Sequence, residues 1–287
     1  MVCAIVLTHN RKGLLRECLA AVRVQTTAPG RVLVVDNAST DGTPDLLRHE
    51  FPDIEVLSLA ENEGSAGGFH EGIKRAHSQG ADWMWLMDDD TVPAPEALAE
   101  LLRARSGLDG QAAPTLLASK VVWRDGRVHP MNFASPARRH PERMVEAAER
   151  GLMPIGSATW VSLLLHRGAV DRHGLPLKQF FIWSDDIEYT GRILSSEPGY
   201  LVPRSIALHN TEAPHTAMTS APDRFYFHVR NLLFIIRRPT RSRRDRLVFL
   251  WLLLQSSGAY LISHPGLEEV RWIARGARDG LRARQSA

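Results

Sequence analysis

Two cysteines in 287 residues exclude a disulfide framework. Cys3 lies in an apolar run and Cys18 in a helical pattern, and no C-x-x-C pair exists, so cysteine-based metal sites are excluded too. A reduced, cytosolic setting is the expectation. Met1 leads straight into a strand-like segment without a basic region or an A-x-A site, and no secretory signal is expected. The longest apolar stretch, Leu247 to Leu254, breaks at Gln255-Ser256-Ser257-Gly258 before Ala259 to Ile262, too interrupted for a membrane span of ~18 residues. Neither G-x-G-x-x-G nor a Gly-Lys-Ser/Thr phosphate loop is present, which argues against dinucleotide and P-loop chemistry. No internal repeat is visible. What is present is an ordinary globular composition: 44% hydrophobic residues with Gly 21 and Pro 17 exclude disordered and collagen-like classes. That is enough chain for one large α/β domain with a small appendage.

The net charge of +3 hides an asymmetry. From Arg224 onward there are 13 arginines against Asp245, Glu268, Glu269 and Asp279, a net +9 that leaves −6 on the remainder. The basic run Arg237 to Arg246 precedes the Trp- and Leu-rich segment Leu247 to Leu254. Such a pairing suits an anionic membrane surface, at ~1 kcal/mol per basic residue near the leaflet. A helix packed on the protein with solvated arginines accounts for it equally. Nucleic acid is not expected, because no binding motif accompanies the arginines.

Apolar runs at Val2 to Leu7, Val32 to Val35, Ile54 to Leu57 and Trp83 to Met87 alternate with helical patterns at Leu14 to Val24, near Pro44 to Arg48, and after the Gly64 to Gly68 cluster. This predicts an α/β fold with a doubly wound, mostly parallel sheet covered on both faces. Weaker signals follow: a strand at Ser119 to Trp123, and periodicity at Gly156 to Leu165 and Gln179 to Ile182. The expected division is a catalytic domain over 1–215, with a nucleotide half near 1–105 and an acceptor half near 106–215, followed by a basic helical segment over 216–287.

In doubly wound sheets ligands sit beyond the carboxyl ends of the strands. Asp88-Asp89-Asp90-Thr91 follows one such strand. In extended geometry Asp88 and Asp90 point together and Asp89 away. Two close carboxylates repel unless a cation lies between them, and oxygen ligands suit Mg²⁺ or Mn²⁺; the alternative is a solvated acidic loop. Asp36-Asn37 ends the second strand, where a carboxylate can accept from a ribose or a base edge, although Asn37, Ser39 and Asp41-Gly42 are also turn formers. Trp183-Ser184-Asp185-Asp186 opens a helix, with Ser184 a good N-cap and the acids favourable to the helix dipole. Beside the aromatic run Phe180 to Trp183, a carboxylate ionised at neutral pH can instead take a proton from a bound hydroxyl. An imidazole at His209 can complete a metal shell begun by Asp88 and Asp90.

Val6 to Arg11, Val34 to Gly42, Asn62 to Phe69, Met87 to Thr91, Phe181 to Tyr189 and His209, in this order, resemble the family 2 inverting glycosyltransferases of GT-A fold. Asn62 to Phe69 and Phe225 to Asn231 look most like the galactofuranosyltransferase and rhamnosyltransferase relatives. The resemblance implies that Thr8, Asn10, Arg11, Asp36, Asn37 and Asp89 bind the nucleotide of a UDP- or dTDP-linked sugar. It implies that Asp88, Asp90 and His209 hold Mn²⁺ or Mg²⁺, that Asp186 is the general base, and that Trp183 and Asp185 meet a glycan or lipid-linked acceptor. Ser184 stands between the tryptophan and the acid pair, where these relatives place them in direct sequence. Two other classes are a sugar-phosphate nucleotidyltransferase, disfavoured because Leu7-Thr8-His9-Asn10 is not a glycine-rich phosphate loop, and a non-catalytic saccharide-binding module, which has no need of Asp88, Asp90 and Asp186 together.

Overall fold

The computed structural model describes residues 1–108, 114–137, 141–213, 217–239 and 242–283; Thr240 and Arg241 of the basic run, the 214–216 segment at the expected domain boundary and residues 284–287 lie outside them. The chain forms β1 (Val2–Thr8), α1 (Lys12–Arg23), β2 (Arg31–Asp36), α2 (Thr43–Glu50), β3 (Glu55–Ser58), α3 (Gly64–Ser78), β4 (Trp83–Asp88), β5 (Thr91–Pro93) and α4 (Ala97–Ser106). It continues with β6 (Leu116–Val122), β7 (Ser135–Pro136), α5 (Pro141–Glu149), β8 (Met153–Ser157), β9 (Leu163–His166), α6 (Arg167–His173), α7 (Asp185–Ile193) and β10 (Gly199–His209). Three helices close it: α8 (Pro222–Arg237), α9 (Arg243–Ser263) and α10 (Leu267–Arg282).

The sheet runs β3-β2-β1-β4-β9-β6-β10-β8-β7, with β5 also on β10. The first four strands are parallel, as their continuous apolar runs predict. The second half is mixed: β9 lies antiparallel between β4 and β6, and β10 is parallel to β6. Along β1 the pleat sends Ala4 and Val6 into a core with Leu15 and Leu19 of α1, while Cys3, Ile5 and Leu7 enter the opposite core with Phe69 and Ile73 of α3. The two free cysteines are buried in opposite cores, and α3 lies so close to the sheet that a Cβ at Gly68 would fall 2.2 Å from Leu7 Cδ1.

Several local expectations change. The glycine cluster does not precede a helix but forms the first turns of α3. Gln179 to Ile182 is no periodic element: Lys178–Phe180 makes a single 3₁₀ turn. The apolar stretch that Gln255 to Gly258 interrupts in sequence is one continuous helix, α9, long and apolar enough to cross a membrane by length and composition. One side of α9, with Leu253 and Tyr260, packs on Phe225 and Val229 of α8. The opposite side shows Leu247, Trp251, Leu254 and Ile262 to solvent at 62–83% exposure.

Candidate active site

The first group of expected residues gathers at the carboxyl ends of β1, β2 and β4, and most of their polar atoms are engaged with one another. Thr8 Oγ1 donates to Asp89 Oδ2 at 2.8 Å, and both residues are buried. Arg11 Nη1 lies 3.4 Å from Asp89 Oδ1 and 2.8 Å from Asp90 Oδ2. The expectation that Asp89 points away from its neighbours is therefore corrected: β4 ends at Asp88, the chain turns, and strand alternation no longer applies. Asn37 is buried with its amide donating to Asn62 Oδ1 and Gly64 O and its oxygen accepting from Glu63 N–H, so it ties β2 to the start of α3. Asp36 accepts from Ser39 N–H at 3.0 Å. Asn10, in the left-handed region at φ 56°, accepts from Thr40 N–H at 2.7 Å and braces the rim.

The acids at the end of β4 titrate unevenly. Burial, then the charges of Asp90 and Asp89, pushes the part-buried Asp88 carboxyl well above the carboxylate range, and Asp185 of α7 adds to the effect. Burial raises Asp89 to about 6 against the opposing Arg11. Burial acts on Asp90 in the same sense, but His209 and Arg11 outweigh it and hold Asp90 below its ordinary value.

His209 reaches the site from the end of β10. Asn132 Nδ2 donates to Thr159 Oγ1, which leaves Asn132 Oδ1 as the acceptor for His209 Nδ1–H at 2.8 Å. His209 Nε2 then faces Asp90 Oδ1 at 3.1 Å, and this buried oxygen receives no aligned hydrogen bond. An imidazole lone pair and a carboxylate oxygen facing each other require a proton or a cation between them. Ligating histidines characteristically donate their other ring N–H in this manner. Among the described residues no group of three His, Cys, Asp or Glu side chains is already gathered as a ligand shell. The donor set nevertheless fits a hard divalent cation: Asp88 supplies a carboxylate that burial and its acidic neighbours leave short of positive charge, Asp90 Oδ1 is buried without an aligned hydrogen bond, and His209 supplies a pre-oriented nitrogen.

The second group of expected residues is held by the segment Phe180 to Ser184, which hands the chain to α7. Phe181, Trp183 and Ser184 all occupy the left-handed region, at φ 60°, 69° and 65°. Such residues cost about 1–3 kcal/mol each and persist where their surroundings over-determine them. On one side α3 presses against the segment: Ala66 N–H donates to Phe181 O at 3.1 Å, and a Cβ at Gly64 would fall 2.1 Å from the same oxygen. Ser184 occupies the N-cap position but makes no side-chain cap bond, because its left-handed backbone turns the hydroxyl away from the helix start.

Asp185 is buried and accepts from Trp160 Nε1 at 2.8 Å and from Ser65 Oγ at 3.3 Å; burial still raises it to about 6. Asp186 accepts from Ile187 N–H at 2.7 Å and has no side-chain partner among the described residues. Burial, then the adjacent Asp185 charge, pushes Asp186 up to about 8. This runs against the expectation of a carboxylate ionised at neutral pH: low dielectric and a like charge disfavour the anion. The buried Trp183 Nε1–H has no partner either. A cavity of about 660 Å³ lined by His70, Arg172, Lys178 and Arg192 lies apart from all these groups. Its cations are neutralised by Glu197, Glu63, Glu71 and Glu188.

Sequence reasoning missed Asn132, Ser65 and Trp160, which orient His209 and Asp185 from distant positions and carry no local signal. It also passed over Asn231 of α8, buried to 1% exposure, whose amide donates to the carbonyls of Phe180, Ile182 and Trp183. The Phe225 to Asn231 stretch was visible but had no role attached to it.

The family model for glycosyl transferase family 2 matches residues 3–160. Galactofuranosyltransferase GlfT1 of Mycolicibacterium smegmatis is 28% identical over 199 residues, 68% of this chain and 66% of that protein. The chain thus spans slightly less than two thirds of that relative. The N-acetylglucosaminyl-diphospho-decaprenol L-rhamnosyltransferase of Mycobacterium tuberculosis is 24% identical over 265 residues, 82% of this chain and 83% of that protein. Among solved structures, Staphylococcus aureus TarS 1-349 in complex with UDP-GlcNAc aligns with a TM-score of 0.67 at 15% identity, over 98% of this chain and 80% of that one. The mannosyltransferase PcManGT from Pyrobaculum calidifontis, solved with GDP-Man and Mn²⁺, aligns with a TM-score of 0.57 at 19% identity and the same coverage. The overall fold is the same in each.

Proposed function

The chain belongs to glycosyl transferase family 2, and on that premise we propose that it is an inverting glycosyltransferase. Its donor is a UDP- or dTDP-linked sugar, with galactofuranose or rhamnose favoured by the relatives. The observation that carries the reading is the proximity of two sets of acids, one at the end of β4 and one at the start of α7. The Asp185–Asp186 pair sits close enough to Asp88 for Asp185 to raise it, and Asp186 has no side-chain partner among the described residues.

In this reading the nucleotide lies over the ends of β1, β2 and β4, against Thr8, Asn10, Arg11, Asp36, Asn37 and Asp89. Arg11, half exposed beside these carboxylates, is the guanidinium placed to meet a diphosphate. Asp88, Asp90 and His209 are the residues that hold Mn²⁺ or Mg²⁺, and the chemistry such an ion supplies is positive charge against the departing diphosphate. Trp183 and Asp185 border the acceptor. Asp186 accepts the proton of the acceptor hydroxyl as that oxygen attacks the anomeric carbon from the face opposite the nucleotide. One displacement inverts the configuration.

The acceptor is a glycan or lipid-linked saccharide in cell-wall polysaccharide assembly, met in the cytoplasm at the inner face of the membrane. The exposed face of α9, with Leu247, Trp251 and Leu254 beside the exposed Arg243 and Arg244, supports contact with an anionic bilayer. Nucleotide release from a panel of UDP- and dTDP-sugars with Mn²⁺ tests the reaction. Acceptor-dependent release is expected from one donor class, and binding of saccharide without any release defeats the enzymatic reading. Flotation with anionic vesicles, reduced by high salt, tests the surface; no binding at low salt leaves α9 as a packed helix only.

A further inference from the structure

We infer that Asn231, on the helical segment after the sheet, is a positioning residue that sets the acceptor loop and through it the aim of Asp186. The inference rests on the proposed transferase reading but starts from a separate observation. Asn231 lies in the interior of the 16-residue α8, where an amide is a poor helix former, and is 1% exposed, where an unpaired amide is costly. Its Nδ2 is satisfied entirely by the loop, with carbonyl oxygens of Phe180 at 2.9 Å, Ile182 at 2.8 Å and Trp183 at 2.8 Å sharing two hydrogens.

Two neighbours reinforce this grip. Arg230 Nη2 donates to Gln179 O at 2.6 Å and Phe180 O at 2.8 Å, and the Phe227 ring stacks on Phe181 with centroids 5.0 Å apart. With Gly64 to Ala66 of α3 on the other side, the loop is held between two helices from opposite ends of the sequence. The left-handed Phe181, Trp183 and Ser184 need such a frame, since nothing in their own side chains favours that backbone. Ser184 leads directly into Asp185 and Asp186, so release of the frame redirects the base and the Trp183 indole together. The donor residues on β1, β2 and β4 make none of these contacts.

The test uses the full chain carrying Asn231→Ala and, because the smaller side chain leaves a cavity, Asn231→Asp, which keeps the shape and removes both donors. Hydrogen exchange over residues 180–187 is expected to accelerate at least ~10-fold while peptides of β1 to β4 stay protected. UDP or dTDP affinity stays within about twofold of the unsubstituted protein. Transfer falls roughly 10²-fold in kcat, the scale on which a displacement of about 1 Å acts, with donor KM little changed. Unchanged exchange over 180–187, or unchanged kcat, overturns the assignment. Equal loss of nucleotide binding, transfer and protection across the whole sheet also overturns it, because Asn231 is then a general folding residue. If the unsubstituted protein transfers no sugar, the transferase reading fails, and the exchange data decide separately whether Asn231 holds the loop.

Discussion

The two groups of acids, at the end of β4 and at the start of α7, are built on opposite principles. Around the end of β4, Thr8, Arg11, Asn37, Asp89 and Asp90 form a network of short polar contacts in which most charges already have partners. At the start of α7, Asp186 and the Trp183 indole have no side-chain partners among the described residues, the backbone leading into them is left-handed at Phe181, Trp183 and Ser184, and burial with the neighbouring Asp185 charge raises Asp186 to about 8. In the proposed reading the first group receives the charged donor and the second meets the acceptor, and the rigidity of the second comes from the helices on either side of its loop.

Removing the metal set is expected to have the largest effect. Asp90→Ala, or an excess of chelator, should bring transfer to background, with activity in the chelated protein restored by added Mn²⁺. Full activity in chelator would reduce the donor side to Arg11 and backbone contacts alone. Next, Asp186→Asn should lower turnover at least ~10²-fold while nucleotide binding measured by calorimetry persists. Near-normal turnover would remove the distinction between the two groups. The smallest effect is on pH dependence. Because Asp186 must lose its proton to act and burial places it at about 8, kcat/KM should climb with pH through that region. Asp185→Asn removes a like charge, stabilises the Asp186 carboxylate and should move the limb to lower pH. A limb that stays in place would assign the raised value to burial alone.

Legibility in the sequence follows the same division. The ends of β1, β2 and β4 are marked by apolar runs stopping at Thr8, Asp36 and Asp88, so both the parallel half of the sheet and the donor acids could be found by reading along the chain. The direction of Asp89 could not, because a turn after Asp88 replaces the extended geometry that alternation assumes. His209 was legible as a residue, while its usable nitrogen depends on Asn132, 77 positions away. The titration of Asp186 escaped for a similar reason: burial is a property of what packs over a residue. The apparent break in α9 at Gln255 to Gly258 was a false signal, because packing of Ser256 and Tyr260 on α8 carries the helix through poor helix formers.

The sequence by itself determined the apolar strands, the acids at their ends, the separation of a −6 body from a +9 tail and the residues that mark the family, since each depends on residue type and local spacing. Only the tertiary structure decided which of those acids are paired with a cation, which nitrogen His209 presents, and that the basic tail reaches back through Asn231 to hold the loop from Phe180 to Trp183. Those outcomes depend on burial and on hydrogen bonds between residues tens of positions apart, and neither quantity exists until the chain has packed.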